Sequence, residues 1–368
     1  MEKQGAPTSK LANKFLGIGL AIALAVIVPV VPLLQGYSAQ IGSSELERAG
    51  VAVHREMRLV LQDIQRHRGA TAALLAGKEG FRERADNARA GVDTAVAKSD
   101  AALQANATQL GKIEEWDKFK SNWQRLRTEY ASMKPGESVK QHNMLIATLM
   151  ESMSKVADNS GLVLDPELAT FYAMSIAVLD LPPATERMGQ SRALGSVILT
   201  EKALNQERRD AMIGAFSEMR MREKSIVVSG EKVLAANASA AARLQASFDE
   251  SRSGIATFVT NVNDNILKPE SLSYEPGRYF DETTKAIDAS FKLYDSAISL
   301  LDNLLVERIS GIKNSRLLIL LIVLGIIVVA AGFAFFTLRR VNRAIVTASD
   351  ALDQIAAGRL DVPMTIET

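Results

Sequence analysis

Residues 287–305 read Ile-Asp-Ala-Ser-Phe-Lys-Leu-Tyr-Asp-Ser-Ala-Ile-Ser-Leu-Leu-Asp-Asn-Leu-Leu. Ile287, Phe291, Tyr294, Ile298, Leu301 and Leu305 recur in alternating steps of four and three, a heptad seam along one helix face. No proline or clear breaker separates this seam from Leu317 to Leu338, 22 residues without a charge. One helix is therefore expected from about 278 to beyond 340, amphipathic at first and then apolar all round. A spanning helix needs about 20 apolar residues, so the second part reads as a membrane crossing.

Working outward, a second uncharged run covers Phe15 to Leu34, 20 residues. It is too long for the usual apolar stretch of a cleaved signal peptide, and Gln35-Gly36-Tyr37 is a poor cleavage site. Lys3, Lys10 and Lys14 precede it, which keeps the N-terminus cytoplasmic. Two crossings return the C-terminus to the cytoplasm, where Arg339, Arg340 and Arg343 lie. The expected organisation is a cytoplasmic N-terminus (1–14), a first transmembrane helix (15–35), an extracytoplasmic domain (36–316), a second transmembrane helix (317–338) and a cytoplasmic tail (339–368). The expected location is the bacterial inner (cell) membrane, multi-pass and in contact with lipid.

Composition narrows the chemistry. A net charge of +1 over 368 residues gives no basic footprint for nucleic acid. Without cysteine there is no disulfide framework, thiolate metal site or cysteine nucleophile. The three histidines, His54, His67 and His142, share no metal-ligand spacing. No nucleophile–base pattern or phosphate loop stands out, so neither an enzyme, a metal nor a cofactor is expected.

Between the membrane runs, proline and glycine are sparse and apolar residues recur at helical spacing. Turns are expected at Gly77 to Gly80, at Lys134-Pro135-Gly136, and between Lys268-Pro269 and Glu275-Pro276-Gly277. Asp165-Pro166-Glu167 has the form of a helix start, and Asn205 can cap another. Ser44-x-x-Glu47 fits a capping box, although the first membrane helix can simply run through it. About eight helices result. The expected fold class is all-α, with two transmembrane helices flanking an extracytoplasmic double four-helix-bundle sensor, its bundles side by side or stacked.

Two segments align as a weak internal repeat. Ile64-Gln65-Arg66-His67-Arg68-Gly69-Ala70-Thr71 falls on Met188-Gly189-Gln190-Ser191-Arg192-Ala193-Leu194-Gly195, arginine on arginine. Arg68 shares a helix face with Leu61, Ile64 and Leu75, and Arg192 with Leu181, Met188 and Leu199. A guanidinium on a packing face needs a partner. One reading pairs each arginine with a facing carboxylate; the other has both converge on a bound anion, for which the planar fork is suited. His67 lies in a neighbouring apolar seam, the usual place of a core histidine.

Both segments resemble the arginine-bearing helix motifs of nitrate- and nitrite-sensing domains. Ser160-Gly161-Leu162-Val163-Leu164-Asp165-Pro166-Glu167-Leu168-Ala169-Thr170-Phe171-Tyr172 and Tyr274-Glu275-Pro276-Gly277-Arg278-Tyr279-Phe280 are similar to segments of helical bimodular bacterial receptors. The resemblance implies a small, anionic ligand held by Arg68 and Arg192, with His67, Gln65 and Gln190 as secondary candidates. Arg66-His67 stands where the family usually has an acid before the arginine.

After the second membrane run, Ile345, Ala348, Leu352 and Ile355 make a short seam, followed by Gly358-Arg359-Leu360-Asp361-Val362. This resembles the first helix and connector of a HAMP signalling linker, with Ala344 where such linkers often have proline. The resemblance implies signal transmission through Ile298, Leu301, Leu305, Ile345, Leu352 and Gly358. The chain stops at Thr368, before a second HAMP helix, so it is expected to be a fragment or to need another protein for output. The function expected is a transmembrane receptor of the chemoreceptor type that passes a periplasmic signal to cytoplasmic signalling proteins. The alternatives are the sensor part of a histidine kinase or cyclase and, from another class, a structural or transport-accessory membrane protein. A homodimer is expected, because the seam of a lone receptor helix needs a partner and HAMP linkers are built from paired chains.

Overall fold

The computed structural model describes residues 7–236 and 238–358, with side-chain surroundings from Gly17 onward. All regular structure among them is helical: α1 (Pro7–Leu75), α2 (Arg82–Ala105), α3 (Ala107–Leu110), α4 (Glu114–Glu129), α5 (Pro135–Asn159), α6 (Leu168–Met174), α7 (Leu181–Glu201), α8 (Gln206–Ala236), α9 (Ala238–Val262) and α10 (Pro276–Ala356). Two π-helical turns, Ser175–Asp180 and Asn263–Leu267, follow α6 and α9. The chain divides into two compact units, Ser43–Arg308 and Met1–Gly42 with Ile309–Thr368. The first is slightly shorter than the 36–316 expected of the sensor domain.

The helix ends follow local chemistry. Gly77, at a φ of 86°, lets the chain reverse after α1, and the Lys78 amide closes onto the Ala73 carbonyl. Asn205 caps α8, its Oδ1 accepting from the Arg208 amide at 2.9 Å. Pro135 opens α5, where its missing N–H costs nothing. Of the two readings of Ser44 and Glu47, the continuous helix is the one found: α1 runs through both, and no capping box forms. One expectation needs correction. Asp165 is not the N-cap of α6, which begins at Leu168; its carboxylate instead accepts from the Glu167 amide and the Thr170 hydroxyl.

Within Ser43–Arg308, one set of helices joins α2, α4 and α5 to α1. Asp93 and Asp100 on α2 accept from Trp123 and Arg127 and from Trp116 and Lys120 on α4, two like pairs one heptad apart. A second set packs α6 and α7 with α8, α9 and α10. Here Tyr279 of α10 donates to the Ser191 carbonyl of α7, and Glu282 accepts from Asn261 of α9. A single apolar core runs through both sets, from Met57, Ile64 and Phe119 to Met188, Phe248 and Leu301.

α1 and α10 run antiparallel where the sets meet, joined by a ladder of acids spaced one heptad apart. Asp288 accepts from Gln62 and Arg66, Asp295 from Arg58, and Asp302 from Arg48. The last rung is Arg308, paired with Glu47 at 3.1 Å, Asp165 at 2.8 Å and Glu167 at 2.8 Å. Burial and the nearby Asp165 raise the Glu47 carboxyl to about 7 against the pull of Arg308.

The heptad seam of α10 is filled from within the chain. All six of its residues are buried, with Tyr294, Leu301 and Leu305 at zero exposure. Arg58 of α1 lies over the Phe291 ring and His54 of α1 beside the Tyr294 hydroxyl, and burial within one chain corrects the expectation that Ile298, Leu301 and Leu305 need a second chain. By contrast, Leu352 and Ile355 near the end of α10 are exposed, and Ile345 is partly so. Gly358, at a φ of 88°, follows the end of this helix. The remainder of the connector-like segment lies outside the described residues.

Among the described residues, three helical stretches are long and apolar enough to cross a membrane: Gly17–Leu75, Pro276–Ala356 and Leu168–Glu201. The first two carry their apolar runs on the surface, with Leu20, Val28, Val329 and Phe333 exposed. The apolar window of the third is 61% buried in protein, so its hydrophobicity serves the core. Asp180, Glu186, Arg187 and Arg192 within the third stretch already set it apart from the two uncharged runs.

Candidate functional site

α1 and α7 face each other across the middle of the Ser43–Arg308 unit. The helix continues from α6 through the π turn, which ends at Asp180, into α7, with Pro182 and Pro183 directly after the turn. α7 thereby presents Glu186, Gly189, Gln190 and Arg192 toward α1, which presents Gln65, Arg68 and Gly69.

Arg68 is 2% exposed. Its Nη1 pairs with Glu186 and donates to Asn143 Oδ1 of α5 at 2.6 Å, while its Nη2 is buried with no hydrogen-bond partner. Glu186 also accepts from Gln65 Nε2 at 3.1 Å and from Gln190 Nε2 at 2.7 Å. Gln190 in turn accepts from the half-exposed Arg187.

Arg192 is treated differently. It is 6% exposed, and no carboxylate forms an ion pair with it among the described residues. Nη1 donates to Thr284 Oγ1 at 2.8 Å, and the guanidinium lies over the Phe280 ring at 4.7 Å. Both contacts are with α10. Burial, and then the like charge of Arg68, pulls its pKa down to about 10.

The two guanidinium groups approach reciprocally. Arg68 Nη2 lies 2.8 Å from where a Cβ on Gly189 would stand, and Arg192 Nη2 lies 3.8 Å from the corresponding point on Gly69. Each arginine reaches the opposing helix next to the other's motif. A side chain at Gly189 would have to displace Arg68, so glycine serves close approach there. The two guanidinium groups share one buried ion-paired carboxylate, and the half-exposed Asp288 offsets the charge of Arg192 only in part. A cation–π contact is worth about 0.5–2 kcal/mol, well short of the several kcal/mol that burying an ion costs.

Both open readings of the arginines have a counterpart. Arg68 has a carboxylate, as the salt-bridge reading requires, but among the described residues Arg192 has no ion-paired one and reaches α1 beside Arg68, at Gly69. Gln65 and Gln190 join the cluster through Glu186. His67 does not. Its Nδ1 lies 2.7 Å from His142 Nε2, and Trp123 and Tyr130 pack edge-on against its ring. His142 donates its Nδ1 proton to the Ser138 carbonyl, so Nε2 accepts from His67. Burial lowers both, to about 3 for His67 and about 4 for His142, and the pair stays neutral.

Four contributors were not singled out from the sequence: Glu186, Asn143, Thr284 and Phe280. Glu186 sits beside Arg187 and reads there as half of a solvated pair. The other three reach the arginines from distant segments.

The site is built by an all-helical sensor domain in which arginines from two helices meet. The model of the family described as nitrate and nitrite sensing (NIT) matches residues 59–309, and this chain belongs to that family. It is similar to the solved structure of the NasR transcription antiterminator, at 16% identity over 88% of each chain with a TM-score of 0.56, a likeness of fold alone. No curated protein matches the chain.

Proposed function

We propose that this protein is a membrane-anchored receptor that binds nitrate or nitrite between α1 and α7 and signals along α10. The observation that carries the reading is Arg192, a buried guanidinium with no ion-paired carboxylate among the described residues, whose Nη2 reaches α1 at Gly69, next to Arg68 with its unpartnered Nη2. A monovalent oxyanion would supply the missing negative charge and accept from both forks. Family membership supports the choice of anion.

Arg192 also supplies the route outward, because its present partners Thr284 and Phe280 belong to α10. An anion that draws the guanidinium toward Arg68 loosens its hold on α10. Switching helices move by about 1–2 Å in such transitions. The exposed apolar runs of α1 and α10 suit lipid, with the sensor unit periplasmic and α10 carrying the signal inward. We read the two helix sets as paired four-helix bundles, and the exposed Leu352 and Ile355 as the start of a HAMP-like contact with a second copy. Output of the chemoreceptor type is the reading we adopt, with the sensor part of a histidine kinase or cyclase as its rival.

Nitrate and nitrite titrations of the full chain in detergent or nanodiscs test the binding step. A charge-assisted hydrogen bond contributes about 1.5–3 kcal/mol, so Arg192→Ala should weaken binding by about 10- to 150-fold. Arg192→Lys should recover only part, because lysine lacks the fork. A melting point that shifts in Arg192→Ala while affinity stays at the wild-type value would refute the site.

A further inference from the structure

Glu186 sits inside the candidate site. Its side chain is 5% exposed, and its carboxylate is held by Arg68, Gln65 and Gln190. A carboxylate in an anion site opposes the ligand, although it also pairs with the buried Arg68. Gln65 and Gln190 could pair with a neutral amide at the same place. The charge on Glu186 therefore has an effect that its shape does not.

From this we infer that Glu186 is a specificity-determining residue, a resident anion that sets the valence of the ligand. The inference rests on the binding reading above. With Glu186 ionised, Arg68 and Arg192 retain one net positive charge, which one monovalent anion neutralises. A dianion would leave a buried negative charge in excess, and an unpaired buried ion is costly. The carboxylate repels a dianion twice as strongly as a monoanion at the same distance, so removing its charge favours the dianion by one further unit of interaction. At a separation of several ångströms and an effective dielectric of about 20, that unit corresponds to a shift of about tenfold or more in relative affinity.

The experiment compares nitrate and sulfate binding to the full chain at constant ionic strength, in wild type and in Glu186→Gln. The wild type should prefer nitrate strongly. In Glu186→Gln, nitrate affinity should hold or rise, and the sulfate-to-nitrate affinity ratio should rise about tenfold or more. Glu186→Asp keeps the charge and should keep the wild-type ratio. If Glu186 only positions Arg68, Glu186→Gln weakens both anions together and leaves the ratio unchanged, which overturns the inference. Should Glu186→Gln fail to fold, the wild type still decides: sulfate bound as tightly as nitrate overturns it. A wild type that binds neither nitrate nor nitrite refutes the proposed function itself. Nitrate binding with an unmoved ratio refutes only the role of Glu186.

Discussion

At the scale of single residues, ligand affinity depends on what the ligand-free protein must give up. Arg192 holds Thr284 Oγ1 before any anion arrives, so part of the binding free energy goes into breaking that bond. Thr284→Val keeps the shape and removes the acceptor. It should tighten nitrate binding, by up to about tenfold for about 1.4 kcal/mol of lost competition, while weakening the response of α10 to ligand. Titration together with a spectroscopic probe on α10 reads both effects, and unchanged affinity with a full response would refute the link. The two arginines were visible in the sequence because a charge within an apolar stripe breaks the pattern. Their surroundings were not. Asn143 lies 75 residues from Arg68 and meets it only through the packing of α5 on α1, and Glu186 looks ordinary until its solvent is removed.

At the scale of elements, α10 is the decisive case. Its continuity from the sensor unit into the apolar run followed from periodicity and the absence of breakers, and the helix is unbroken from Pro276 to Ala356. The cover over its seam did not follow. A heptad pattern shows that a face is buried but does not say whether the same chain or a second copy buries it. Cysteine scanning separates the two faces. Leu301→Cys should stay unreactive in membranes because it lies in the core, whereas Leu352→Cys should cross-link between copies if the tail pairs as proposed. Cross-linking at 301 with none at 352 would reverse that assignment. The start of α6 was misplaced for a similar reason: the Asp165 carboxylate is held by Arg308 from α10, a contact that local capping rules cannot anticipate.

At the scale of the whole molecule, buried titratable groups set the pH dependence of stability. Burial lowers His54, His67 and His142 to about 4, 3 and 4, below their ordinary value of 6.5. The unfolded chain therefore binds more protons, and this stabilisation, complete above 6.5, is lost as pH falls toward 4. Glu47 acts in the opposite sense. Its folded value of about 7 exceeds 4.5, so its contribution is present below 4.5 and lost as pH rises toward 7. Three histidines outweigh Glu47 and Asp63, which burial also raises, and the melting point should rise from pH 4.5 to 6.5, more steeply in Glu47→Gln than in wild type. Equal slopes in thermal melts would show that Glu47 is not titrating in this range. The ladder between α1 and α10 answers to a different variable. Its rungs at Asp288, Asp295 and Asp302 are partly open to water, and mobile ions screen such pairs over about 8 Å at physiological ionic strength and about 3 Å at 1 M. Any nitrate salt added to this protein is thus also a change of electrolyte acting on the helix pair that would carry the response. Only titrations balanced with an inert bulky salt isolate the signal of the anion from the softening of the strut that reports it.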